Sequence, residues 1–177
     1  MLQYPILINK KNFLKRSDII SQKIFTLPQL KQKIEQWKIL GKTTVFTNGV
    51  FDILHPGHIF SLSQAAREAD YLIVGVNSDD SVKRLKGDNR PVNQQDSRAL
   101  LLAALLMVDA VIIFDEDTPL TLINIIKPDV LVKGGDYKIE QIVGAREVIA
   151  NGGRVVINSI IEGFSTTSLI EKLKTLR

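Results

Sequence analysis

The chain has no cysteine among its 177 residues, so it can form neither a disulfide framework nor a thiolate metal site, and nothing in it depends on an oxidising compartment. Histidine is almost as scarce, with two residues, and tryptophan occurs once. No apolar stretch reaches the roughly 18 residues needed to span a bilayer. A short apolar run at 4–8 is followed by a basic stretch (Lys10, Lys11, Lys15, Arg16), the reverse of the order in a secretory signal. These absences set the expectation of a cytoplasmic protein with no membrane attachment. There is no internal repeat at a fixed period and no low-complexity segment.

A length of 177 residues with 45% apolar and 24% charged residues is enough for one sizeable core and too little for two ordinary domains. The formal charge of +4 is unevenly spread. Residues 1–42 hold nine Lys/Arg against two Asp/Glu, whereas the remainder holds fourteen against seventeen. The basic excess therefore belongs to the leading segment, and no aromatic-interleaved basic motif accompanies it. We expect residues 1–25 to be a basic extension, solvated or docked on a partner, residues 26–177 to be the functional domain, and no nucleic acid as partner.

Thr26 and Gln29 spell a capping box with Pro28 in the first turn, and Leu27, Leu30, Ile34 and Trp37 recur at helical spacing, with Gly41 as the stop. Five short β-branched runs follow at 43–48, 71–77, 110–114, 129–133 and 154–158. Helical patterns fall between them, at 57–69, 79–86, 95–107, 118–126, 139–150 and 166–175. Near-continuous apolar strands alternating with helices predict an α/β fold, a Rossmann-like doubly wound sheet of about five parallel strands covered on both faces, preceded by a helical extension. In such sheets ligands sit beyond the carboxyl ends of the strands, where strand order reverses.

The first strand runs into FTNGVFDILHPGH, which holds both histidines, His55 and His58, three residues apart at a helix start. A helix amino terminus presents unpaired N–H groups and the positive end of a dipole, and so attracts phosphate. Two imidazoles there can donate hydrogen bonds as charge shifts during phosphoryl chemistry. Zinc ligation would need further donors such as Asp52. Service as a base for a serine nucleophile would need a nucleophile elbow, which is missing. An ordinary structural role stays open. Near the far end, EGFSTTSLI places Ser165, Thr166, Thr167 and Ser168 at another helix start. Ser168 and Glu171 would suffice for a capping box, but the extra hydroxyls also suit a polyphosphate tail. The fourth strand ends in Lys133-Gly134-Gly135-Asp136-Tyr137, where paired glycines allow either a plain turn or close approach to a flat ligand. Asp79, after the second strand, could equally be a plain cap.

Together with LIVGVNSDDSVKRLKG, RPVN, DEDTPLTLI and PDVLVKGGDY, these motifs resemble the nucleotidyltransferase superfamily marked by H-x-G-H and an S-T-T-type loop. Within it the chain is most similar to the D-glycero-β-D-manno-heptose 1-phosphate adenylyltransferases, which occur alone or as the carboxyl-terminal half of a bifunctional heptose kinase/adenylyltransferase. The resemblance covers residues 24–175. It implies attack of a sugar 1-phosphate on the α-phosphorus of ATP, release of pyrophosphate, and ADP-heptose for lipopolysaccharide. Positioning and charge neutralisation carry such a step.

By matching position, the resemblance implies that His55 and His58 grip the α- and β-phosphates, while Ser165, Thr166 and Thr167 hold the pyrophosphate. Thr47, Asn48, Gly49 and Phe51 would line the nucleotide site with them, and Lys133, Gly134, Gly135 and Asp136 would face base and ribose. Lys83, Arg84 and Lys86, read as a mobile loop bounded by Gly87, would supply a closing cation, with Lys83 and Thr166 catalytic beside the histidines. Asn77 and Asp79 match positions facing the acceptor, and Arg90 or Arg98 would clamp its phosphate through the guanidinium fork. Magnesium is expected with the nucleotide, held by phosphates and water. A homodimer and a separate sugar kinase are further implications. Val50 and Pro56 depart from the side chains usual in the heptose enzymes. The alternatives are a CTP-dependent cytidylyltransferase for glycerol 3-phosphate or a similar alcohol phosphate, and a nucleotide-binding module without catalysis.

Overall fold

In the computed structural model, which describes residues 18–159, the β-branched runs become five strands. These are β1 (Thr44–Gly49), β2 (Tyr71–Asn77), β3 (Ala110–Phe114), β4 (Val130–Gly134) and β5 (Arg154–Asn158). All pair in parallel in the order β3-β2-β1-β4-β5. Strand order therefore reverses between β1 and β4, which opens the crevice expected of a doubly wound sheet.

Alternate residues of each strand feed two separate cores, because successive side chains of a strand point to opposite faces. Phe46, Ile73, Ile112 and Leu131 face α2 (Leu27–Ile39), α6 (Leu120–Ile126) and α7 (Ala145–Ala150). Val45, Val74, Val111 and Val132 face α3 (Pro56–Ala65) and α5 (Gln95–Ala103). The capping box forms at the head of α2, where Gln29 Oε1 accepts from the Thr26 N–H at 2.9 Å and its hydroxyl at 2.8 Å. Leu30, Ile34 and Trp37, spaced for one helix face, are buried. Each such side chain stabilises by about 1.5–3 kcal/mol. Gly75 in β2 is a packing requirement, since a Cβ there would lie 2.8 Å from Phe46 Cζ.

At the opposite edge of the sheet, three aspartates that directly precede strands each accept a neighbouring strand's first amides. Asp70 accepts from Thr43 N–H at 3.0 Å, Asp109 from Leu72 N–H at 2.8 Å, and Asp129 from Thr44 N–H at 2.7 Å. These carboxylates are spent on register and lie away from the crevice.

Three expectations change. The pattern at 95–107 stops as a helix at Ala103, because tight turns follow, Leu105 N–H to Leu102 O and Val108 N–H to Leu105 O. The pattern at 57–69 likewise ends at Ala65. The pattern at 139–150 divides into a 3-10 turn, Ile139–Gln141, and α7, separated by Gly144 at φ +89°. The helix expected at 166–175 lies outside the described residues. The end of the supposed extension is docked: α1 (Asp18–Ser21) leads to Ile24, which pairs in parallel with Val111 on the edge of β3. The boundary expected at residue 25 thus falls inside an ordered contact, which Lys23 reinforces by donating to Val108 O at 2.7 Å. Among the described residues no helix is long and apolar enough to cross a membrane.

Candidate active site

The loop from β1 into α3 carries most of the unusual chemistry. Phe51 sits in the left-handed region at φ +49°, a conformation that a bulky side chain adopts only when its surroundings enforce it. Its ring, buried, meets His58 edge-on at 5.2 Å between centroids. His55 is the N-cap of α3 and Pro56 occupies its first turn. The two imidazoles stack at 3.8 Å, 22° from parallel. Burial, and secondarily His55, pushes the His58 pKa down from 6.5 to about 4, while burial lowers that of His55. Both rings are therefore neutral at neutral pH, so each offers one N–H donor and one acceptor nitrogen. His58 Nδ1 is buried without a hydrogen-bond partner among the described residues.

The same loop, through Val50, lines a cavity of about 320 Å³ that opens beyond the carboxyl ends of the central strands. Asn48, Gly49 and Val50 supply one wall, Asn77 and Leu85 another, and Leu131 and Lys133 the β4 side. Asp117 to Pro119, from the loop after β3, and Tyr137, Gln141, Ile142 and Val143 complete it. The histidines are not part of this lining; His55 borders a second, shallow hollow with Leu54, Pro56, Ile59, Phe60 and Ser63. Lys133 is half-buried, and burial alone lowers its pKa.

The structure gathers Asn48, Gly49, Asn77 and Lys133 around one cavity, with Thr47 buried one residue earlier on β1. Gly134 closes β4 and Asp136 is exposed. Gly135 sits at φ +123°, and a Cβ there would lie 3.0 Å from Tyr137 Cε2, so turn geometry by itself requires glycine. Ser165, Thr166 and Thr167 lie outside the described residues.

The expected cations are corrected. Lys83, Arg84 and Lys86 are in the last turn of a helix, α4 (Asp79–Lys86), not on a loop. Lys83 pairs with Asp80 at 3.2 Å on the exposed side, and Arg84 Nε pairs with Asp117 at 2.7 Å. Arg98, expected as an acceptor clamp, is fully buried and spent on the scaffold. It donates to Asn93 O at 2.9 Å, Val50 O at 2.6 Å and Asp79 Oδ1 at 2.7 Å. Asp79 is thereby occupied too, and its N–H donates to Gln95 Oε1, leaving Ser78 as the cap of α4. Arg90 is partly exposed, with Nε on Asp52 Oδ2 at 2.6 Å.

Asp52 is the organising residue that sequence reading considered only as a metal donor. Besides Arg90 it accepts the amides of Val92 and Asn93 at 2.8 and 2.9 Å, which straps residues 90–93 onto the β1–α3 loop. Burial raises its pKa, but the Asn93 and Val92 amides and Arg90 outweigh this and hold it below the usual carboxylate value. Its partners stand about forty positions away, so periodicity carried no trace of it. Asp117, Thr118 and Gln141 were missed as lining; their position after strands was the available signal. No three His, Asp or Glu side chains gather as a metal cage among the described residues.

Comparison with known proteins gives the family and supports the fold. The chain is 56% identical over 143 residues to a protein of Nitrobacter winogradskyi called bifunctional protein HldE, which covers 81% of this chain and 29% of that protein. A protein of the same name from Haemophilus influenzae is 54% identical over 154 residues, covering 87% and 32%. The chain thus spans about a third of the length of these curated relatives. A lipopolysaccharide core biosynthesis protein of solved structure from Thermoplasma volcanium matches at 32% identity with a TM-score of 0.55, covering 68% of this chain and 98% of its own. Pantoate-β-alanine ligase from Francisella tularensis, solved with β-γ ATP and β-alanine, shares the fold alone, at 16% identity and a TM-score of 0.55, covering 85% of this chain and 76% of its own. Residues 46–172 match the model of one family throughout, and on that match the chain belongs to the cytidylyltransferase-like family.

Proposed function

We propose that the chain is an adenylyltransferase that moves AMP from ATP to a sugar 1-phosphate, D-glycero-β-D-manno-heptose 1-phosphate, giving ADP-heptose and pyrophosphate. The observation that carries this reading is the stacked, neutral His55–His58 pair at the head of α3, on the loop whose Val50 lines the cavity at the strand-order reversal. The high identity to proteins called bifunctional protein HldE and the likeness to a lipopolysaccharide core biosynthesis protein support the acceptor class.

In this reading an oxygen of the acceptor phosphate forms a bond to the α-phosphorus as the α–β bridging bond breaks, and pyrophosphate leaves with the electron pair. Each neutral imidazole has one N–H that can donate a hydrogen bond to a phosphate oxygen as charge develops there. The α3 amino terminus adds a positive dipole end and the Gly57 N–H, since Pro56 has no N–H and the His58 N–H donates to His55 O at 2.9 Å. Ser165, Thr166 and Thr167 are assigned to the departing pyrophosphate. Magnesium enters as part of the ATP substrate, since phosphates and water satisfy most of its coordination. The reading also carries a cytoplasmic site of action, a homodimer, and a kinase activity elsewhere that makes the sugar 1-phosphate.

The family's description favours one rival, a cytidylyltransferase acting on glycerol 3-phosphate or a similar alcohol phosphate. Incubation with ATP or CTP and each acceptor, following pyrophosphate release, separates the two. Turnover with ATP and the heptose 1-phosphate is expected; turnover with CTP alone would overturn the assignment.

A further inference from the structure

We infer that Lys133 anchors the phosphate of the acceptor inside the cavity between β1 and β4, and so serves the sugar phosphate rather than the nucleotide's base and ribose. This inference rests on the proposed sugar-phosphate reading and names a specificity-determining residue for it. Among the described residues that line the cavity only Lys133 and Asp117 are charged, and Asp117 is neutralised by Arg84 at 2.7 Å. Lys133 has no carboxylate or hydrogen-bond partner among the described residues, and burial is the sole cause of its lowered pKa. A half-buried ammonium without a partner is disfavoured until an anion arrives, and perturbed groups of this kind mark ligand sites.

The sheet fixes the backbone from which this amine extends. Lys133 is paired with Ile157 in the β4–β5 register, and its strand is locked to β1 through Val45–Val130 and Phe46–Leu131. From this fixed strand end the flexible four-carbon stem can bring the ammonium to an anion in the cavity. The rest of the lining selects what accompanies the anion. Asn48, Asn77, Thr118 and Gln141 are neutral donors and acceptors, suited to hydroxyls. Asn77 is itself oriented by donating from Nδ2 to Ser81 Oγ at 3.0 Å, which leaves its carbonyl oxygen as the acceptor. Leu131, Ile142 and Val143 offer an apolar wall for the C–H face of a sugar ring. At about 320 Å³ the cavity stands near the lower end of the roughly 300–1,000 Å³ usual for ligand sites, with room for a sugar phosphate. One cation, several neutral hydrogen-bonding groups and one apolar wall together describe a phosphorylated polyol.

The test compares KM for ATP and for the heptose 1-phosphate in the unaltered protein, Lys133→Met and Lys133→Arg. Loss of one charge-assisted contact should raise the acceptor KM by about 30-fold in Lys133→Met, with partial recovery in Lys133→Arg and an ATP KM within about twofold. A rise in the ATP KM with an unchanged acceptor KM would overturn the inference while leaving the adenylyltransferase reading intact. If the unaltered protein turns over no sugar 1-phosphate, that reading fails, and inorganic phosphate becomes the probe. A phosphate-dependent shift of the Lys133 Nζ resonance would then support an anion site, and its absence would defeat one.

Discussion

Replacing Arg98 with methionine should damage the fold before it damages any substrate contact. The guanidinium is fully buried and makes three bonds, to Val50 O, Asn93 O and Asp79 Oδ1, at 2.6, 2.9 and 2.7 Å. It thus ties together the β1–α3 loop, the 90–93 strap and the head of α4. Hydrogen bonds from a charged donor contribute about 1.5–3 kcal/mol each. Methionine keeps much of the volume, and the Asp79 side chain, 27% exposed, can rehydrate. The two carbonyl oxygens have no such recourse. The expected loss is therefore about 3–5 kcal/mol, the range for breaking a buried pair from one side. For a chain of this size that corresponds to a fall in Tm of about 6–20 °C. Denaturant titration of Arg98→Met against the unaltered protein reads the value directly. A loss below about 1 kcal/mol, with a raised acceptor KM, would show that Arg98 meets substrate after all.

Other outcomes follow from the same geometry. Gly75→Val should destabilise by about 1–3 kcal/mol, since its side chain must displace the Phe46 ring from a packed core; an unchanged denaturation midpoint would contradict the close approach. His58 takes up its proton near pH 4 in the folded chain but at its ordinary 6.5 when unfolded. The unfolded state therefore binds more protons between these values, and stability should be complete above about pH 6.5, decline toward pH 4 and level off below it. The decline due to His58 should be on the order of 2–3 kcal/mol and should vanish in His58→Gln; an identical pH profile in that variant would sink the assignment. Asp52, held below its ordinary value, contributes stability above that value that is lost as pH falls through its folded pKa, so Asp52→Asn should flatten the acid limb of the same titration.

The sheet was legible because burial on both faces leaves near-continuous β-branched runs, and each run ended within about a residue of its strand. Helix starts read well where a local device marks them, as Thr26 and Gln29 do. Helix ends read poorly at 95–107 and 57–69, because apolar residues continue past the last helical turn into tight turns. The histidine pair was legible because it is short-range. The scaffold beneath it was not: Arg98 meets Val50 across 48 positions and Arg90 meets Asp52 across 38, so an arginine that serves a loop carbonyl looks in sequence like one that serves a phosphate. Nor does anything local announce that Phe51 takes a left-handed conformation, since that is imposed by the burial of its ring against His58.

The central claim is that the imidazoles at the head of α3 hold the nucleotide's phosphates during transfer. Its most direct test is pyrophosphate release by His55→Ala and His58→Ala with ATP and the heptose 1-phosphate, each variant first shown to unfold cooperatively. Each variant should lose at least about 100-fold in kcat, the scale of removing a donor from developing charge. Turnover equal to that of the unaltered protein in both variants would contradict it.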